Sequence, residues 1–373
     1  MRLLLLALLF SSLAIAQTAP QPPSVAARAW LLLDYGSSLT LAGFNVDQRV
    51  EPASLTKLMT AYLAFAALKQ GRIQAKQKVP VSERAWKSPG SRMFIEPRQA
   101  VSVEELLRGM IVQSGNDACI ALAEIIAGSE EAFVQMMNSE AQRLGLSNTH
   151  FTNSTGLPDA QHYSTANDLG HLALALIRDF PEYYTLYSLK EFRYNGITQP
   201  NRNRLLWLDA SVDGVKTGHT EAAGFCLIAS AKRGPRRLLT VVLGTDSDGA
   251  RAQESQKLLN FGFQYYDAVK LYDARQPIAQ VRVFKGADNA VSAGFVNDLL
   301  VSVPRGQSAQ LKVQLLPLQR LLAPLAAGSR VATLKLSLGD KPYGEFPVLA
   351  LDSVPAAGIF GRAWDSVRLL FER

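Results

Sequence analysis

Glu51-Pro52-Ala53-Ser54-Leu55-Thr56-Lys57 opens a long apolar run and sets a hydroxyl and an amine one helical turn apart. Ser54 and Lys57 stand at i and i+3, so on a helix they share a face. Pro52 is a helix-start signal, and Leu55, Leu58, Met59, Tyr62 and Phe65 recur at helical spacing until Gly71. The spacing predicts a buried helix. A serine hydroxyl is a weak nucleophile that needs a base, and a lysine serves as one only when desolvation or a neighbouring cation lowers its pKa. A mostly apolar helix supplies that setting. The bland alternative is an ordinary helix start with a snorkelling lysine, and it applies to any isolated Ser-x-x-Lys.

Two further stretches, Ser114-Gly115-Asn116 and Lys216-Thr217-Gly218, follow in order. Their surroundings read LLRGMIVQSGNDACIALAE (106–124) and VDGVKTGHTEAAGF (212–225), with ASLTKLMTAY at 53–62 and NRNRLLW at 201–207. Together they resemble the low-molecular-mass D-alanyl-D-alanine carboxypeptidases of the penicillin-binding-protein-5 type, whose three ordered motifs these are. The resemblance implies an α+β architecture. A β-lactamase/transpeptidase-like domain, an antiparallel sheet with helices, is followed by a small all-β domain and a C-terminal amphipathic helix. It implies removal of the terminal D-alanine from peptidoglycan stem peptides through an acyl-enzyme on Ser54, with β-lactams as covalent inhibitors and no cofactor.

The same resemblance assigns roles. Lys57 takes the Ser54 proton, Ser114 relays one to the leaving nitrogen, and Lys216 keeps the local potential positive. Asn116 offers its amide to the substrate backbone and to Lys57, though an Asn beside Gly is more often only a turn residue. The backbone N–H groups of Ser54 and His219 form the oxyanion hole beside Gly218, and Thr217 and Arg202 take the substrate carboxylate. Arg251 matches a family arginine by position, but its own reading is an exposed helix arginine.

Outside the motifs, Met1-Arg2 and the apolar residues 3–10, ending in Ala14-Ile15-Ala16, read as a signal peptide covering 1–16. Export is the consequence, and the resemblance implies a place at the periplasmic face of the inner membrane. The 373 residues, 48% hydrophobic and 19% charged, hold material for more than one core. A catalytic domain over 17–270 and an all-β domain over 271–354 are expected, with a tail at 355–373. The net charge of +7 suits an anionic wall or membrane surface, while no basic block interleaved with aromatics points to nucleic acid. Two cysteines, Cys119 and Cys226, lie in apolar runs and read as separate buried thiols; with four scattered histidines they give no metal-ligand spacing.

In chain order, 29–33 and 39–42 read as a hairpin across Asp34-Tyr35-Gly36, and 79–98 as a long loop beside the site. Ser102-Val103-Glu104-Glu105 is a capping box that starts a helix ending near Ser114, followed by helices over 117–127, 130–144 and 165–177. From 191 the period becomes that of strands, at 192–194, 197–199, 212–217, 225–231 and 238–243, before a closing helix over 252–268. Lys216-Thr217-Gly218 falls at the end of a strand whose edge faces substrate.

Three alternatives differ in what they require. A β-lactamase of this fold needs a deacylating Glu-x-x-Leu-Asn between the second and third motifs, and the stretch from 116 to 216 has none. A wall-binding or penicillin-sensing scaffold would have lost Ser54, Lys57 or Lys216. A D,D-endopeptidase would use the same residues. In the tail, Phe360, Ala363, Trp364, Val367, Leu370 and Phe371 recur at helical spacing, with Arg362, Asp365, Arg368, Glu372 and Arg373 toward the other side. That pattern fits a helix lying in a membrane interface, the alternative being a helix packed on the protein's own surface or on the second subunit of a homodimer.

Overall fold

A computed structural model describes residues 20–359 and Asp365. The expected signal peptide lies outside the described residues, as do residues 360–364 and 366–373 of the tail. Five strands form an antiparallel sheet in the order Thr40–Phe44, Ala29–Asp34, Arg236–Thr245, Gly224–Arg233, Val212–Thr220. The strand AWLLLD is buried along its whole length because both faces of the sheet are covered. Leu31 and Leu33 pack with Met59, Phe65, Leu169 and Leu172 on the helical side. Leu32 packs with Leu227, Leu238 and Leu259 under the helix Asp248–Tyr265 on the other.

The Ser54 segment is not one continuous α-helix. Ala53–Thr56 is a 3₁₀ turn, and the α-helix proper is Lys57–Lys69. Ala53 has φ +48°, a left-handed backbone that costs a non-glycine residue about 1–3 kcal/mol. The segment 79–98, expected as a loop, holds a short helix at Glu83–Trp86, and the longer helix after it starts at the Ser102 capping box, complete in both directions, and ends at Val112. Ser114, at φ +66°, then reverses the chain into the helix Asn116–Ala127.

The closing helix starts earlier and stops earlier than its periodicity predicts. Ser247 caps it at Asp248, and Tyr266–Tyr272 leaves it as a strand paired with Leu299–Pro304. Beyond it lies a six-stranded sheet with its own core, in which Val281, Val283, Val301, Val331, Leu334 and Val348 are buried. Asp34 joins the two units, its Oδ2 accepting from the Ser302 N–H at 3.0 Å. Asp365, placed by the sequence pattern on the polar side of the tail, is buried, and its Oδ2 accepts from the Lys285 N–H at 2.5 Å.

Candidate active site

Lys57 is the hub. It is 1% exposed, yet its Nζ has three oxygen partners: Ser54 Oγ at 2.9 Å, Asn116 Oδ1 at 2.7 Å and the Thr155 backbone O at 2.6 Å. When the amine is neutral, Thr155 O and Asn116 Oδ1, which only accept, can engage both of its hydrogens and leave its lone pair facing Ser54 Oγ–H. Burial lowers the Lys57 pKa to about 8, with Arg202 acting in the same direction.

Asn116 is locked in this orientation because its Nδ2 donates to Pro89 O at 2.7 Å. Asp117, next along, holds the chain opposite: its carboxylate accepts from the N–H groups of Met93, Phe94 and Ile95 at 3.0, 2.8 and 3.2 Å. The segment read as a loop beside the site is therefore pinned to the Ser114 turn. Ser114 itself is 1% exposed, and its Oγ has no partner. An unpaired buried hydroxyl costs about 1–3 kcal/mol, and a group entering the cleft can satisfy it.

Lys216, Thr217 and Gly218 lie within the strand Val212–Thr220 and not at its end, but this strand is the edge of the sheet, so its outer backbone groups face the cleft. At Gly218 the chain is close to the Ser54 turn. A Cβ there would stand 3.2 Å from Pro52 O and 3.3 Å from Leu55 Cγ, where the strand crosses the Ser54 turn. Lys216 is buried, its Nζ donating to Thr217 O at 3.0 Å. Burial first, then the charges of Lys57, Arg202 and Arg251, hold its pKa well below the ordinary lysine value.

A cleft of about 510 Å³ opens over these groups, lined by Ser54, Ser114, Arg202, Thr217, His219 and Arg251 among others. The His219 ring lies against Phe225, with centroids 4.0 Å apart. Arg202 is exposed at the wall of the cleft. The reading of Arg251 as an exposed helix arginine is corrected. It is 5% exposed, and its Nη1 donates to Gly218 O at 3.1 Å, while Asp248 pairs with its Nη2. Ser255, Leu258 and Gly262 occupy the same buried stripe at helical spacing, a signal that marked Arg251 as inward-facing.

Other contributors carried no motif. Thr155 is held by an Asx cage in which Asn153 Oδ1 accepts from the N–H groups of Thr155, Gly156 and Leu157 at 3.1, 2.8 and 3.1 Å. Glu130 Oε1 fixes the neighbouring Ser154 through its N–H at 3.0 Å and its hydroxyl at 2.7 Å. Gly156 has φ +84°, and a Cβ on it would stand 1.8 Å from Ala53 O.

The D-alanyl-D-alanine carboxypeptidase family model matches residues 16–247, and the model of the penicillin-binding protein 5 C-terminal domain matches 266–356. The chain belongs to the D-alanyl-D-alanine carboxypeptidase family. It is 43% identical over 366 residues to the D-alanyl-D-alanine carboxypeptidase DacC of Escherichia coli, covering 96% of this chain and 92% of that one. The solved structure of penicillin binding protein 5 from Haemophilus influenzae superposes with a TM-score of 0.80 at 41% identity, covering 90% and 99% of the two chains. Penicillin-binding protein D2 from Listeria monocytogenes, solved in its ampicillin-bound form, has a TM-score of 0.61 at 30% identity over 65% of this chain and all of its own. The chain is thus a serine-type D,D-carboxypeptidase acting on peptidoglycan stem peptides, with an α+β domain followed by a small all-β domain.

Proposed function

We propose that the three motifs perform acyl transfer as follows, the supporting observation being the hydrogen-bond set that leaves the Lys57 lone pair to Ser54. Ser54 Oγ attacks the carbonyl of the penultimate D-alanine as its proton passes to Lys57. The N–H groups of Ser54 and His219 take the negative charge on the carbonyl oxygen. Ser114 delivers a proton to the leaving nitrogen, the C–N bond breaks, and D-alanine departs. Water then hydrolyses the ester on Ser54. Arg202 and Thr217 hold the terminal carboxylate, and Asn116 the peptide backbone. Arg251, through Gly218 O, braces the Gly218–His219 peptide, whose N–H end is the proposed oxyanion donor.

A β-lactam presents the same carbonyl and carboxylate, so it enters the same path and stays as an ester, in keeping with the ampicillin-bound form of the Listeria relative. Intact mass after benzylpenicillin, followed by peptide mapping, tests the scheme. One adduct on Ser54 is expected, and an adduct elsewhere, or none on folded protein, defeats it.

The division into a signal over 1–16, a catalytic part to 270, an all-β part over 271–354 and a tail from 355 belongs to the same proposal. No helix among the described residues is long and apolar enough to cross a membrane. The tail pattern supports peripheral attachment at the periplasmic face of the inner membrane, with the all-β domain as a stand between bilayer and catalytic cleft. Packing on the protein's own surface, where Asp365 accepts from Lys285 N–H, or on a second subunit is the other use of that pattern, which vesicle sedimentation and sizing of the full chain separate.

A further inference from the structure

One buried titratable side chain in this neighbourhood has no part in the scheme above. His162 is 3% exposed and lies between the loop 152–157 and the Ser54 turn. Its Nδ1 is 3.2 Å from the Thr152 backbone N and 3.1 Å from Thr152 Oγ1. A backbone N–H only donates, so Nδ1 is the bare nitrogen and Nε2 carries the hydrogen. Nε2–H then donates to Thr56 Oγ1 at 2.8 Å. The Phe151 ring meets the imidazole edge-on, with centroids 5.7 Å apart.

These bonds join the two pieces of chain whose separation matters most to Lys57. Thr56 directly precedes Lys57, and Thr152 begins the loop whose Thr155 O accepts from Nζ. We propose that His162 is a positioning residue for acyl transfer: by clamping Thr152 to Thr56 it keeps Thr155 O on the Lys57 amine, so that the lone pair stays aimed at Ser54. Glu130 and Asn153 shape the loop, and Thr60 Oγ1 bonds Ser154 O one helical turn further on. The histidine is the side-chain link at the turn that carries the nucleophile. The charged or titratable groups facing it are Asp159, His150 and Lys57. Burial outweighs them and holds the imidazole pKa down to about 4, so at neutral pH the ring keeps this single tautomer.

The inference rests on the acyl-enzyme reading, and the experiment separates the two. Mass mapping first locates the wild-type benzylpenicillin adduct, which must lie on Ser54 for that reading to stand. Stopped-flow acylation of the full chain then gives a dissociation constant and a first-order acylation constant for wild type, H162L, H162Q and the nearly isosteric T56V, each checked for folding by thermal melt. H162L and T56V are expected to lose about tenfold or more in the acylation constant while the dissociation constant stays within about twofold, since a displaced catalytic group costs rate and the cleft is untouched. H162Q places a carbonyl toward Thr152 N–H and an amide toward Thr56, so it should recover most of the rate. With the wild-type adduct on Ser54, three results overturn the proposal: folded H162L and T56V acylating within twofold of wild type, the loss appearing in the dissociation constant, or folded H162Q falling as far as H162L.

Discussion

Acylation should titrate with Lys57, and the size of the effect follows from its surroundings. Only the neutral amine has a lone pair for the Ser54 proton, and burial lowers its pKa from 10.5 to about 8. At pH 7 roughly one amine in ten is then neutral, against roughly one in three thousand at the ordinary value, a gain of roughly 300-fold in competent enzyme. Burial first, and then the Lys57 charge, hold the Lys216 pKa down. A proton shared by the pair rests preferentially on Lys57, which has three oxygen partners against the single Thr217 O of Lys216. Loss of that proton activates Ser54 and removes one of the charges that disfavour an ammonium on Lys216.

The assay is the second-order rate constant for acylation by a chromogenic cephalosporin between pH 5.5 and 9.5 at fixed ionic strength. Its logarithm should rise with unit slope and bend near pH 8. Arg202→Gln removes a cation that disfavours the ammonium form, so the bend should move to higher pH. A profile flat from pH 6 to 9, or one that bends only near 10.5, would refute the assignment of Lys57 as base.

Lys57→Met should abolish acylation, and because the native lysine releases its proton before the unfolded one does, wild-type stability should rise relative to the variant between about pH 8 and 10.5. Denaturant melts across that window check the sign, and a difference that falls with pH contradicts it. Gly156→Ala forces a Cβ onto Ala53 O at a left-handed backbone and should cost more than about 2 kcal/mol, with acylation lost; a melt within a degree of wild type would count against the contact. Both cysteines are buried free thiols, so native protein should bind no thiol reagent and denatured, unreduced protein two equivalents; no uptake on denaturation would mean a disulfide. Deleting residues 359–373 should release the protein from anionic vesicles without loss of D-alanine release from a soluble peptide, and a truncated protein that still sediments with vesicles would sink the anchor reading.

The contrast between Ser54–Lys57 and Lys57–Thr155 explains what could be read from sequence. Ser54 and Lys57 sit in one turn, where spacing alone fixes their relation, and the three motifs carry side chains whose chemistry is specific. Thr155 contributes a carbonyl, which every residue possesses, so nothing in its identity marks it. Its placement comes from Asn153, Glu130 and Gly156, and each acts through a contact whose partner is set by how a loop docks on a helix. Periodicity describes one element at a time and is silent on such docking. The same limit hid Asp117, whose carboxylate gathers three N–H groups more than twenty positions earlier. Arg251 is a different case. Its inward stripe was present in the spacing of Ser255, Leu258 and Gly262, and the prior that arginines face water outweighed it. Buried charge is where that prior fails, because a site that must stabilise developing negative charge keeps cations out of water at the cost of their solvation. Lys57, Lys216 and Arg251 are each at most 5% exposed, so an arginine or lysine on a buried stripe near a catalytic motif is better read as part of the site than as an error in the periodicity.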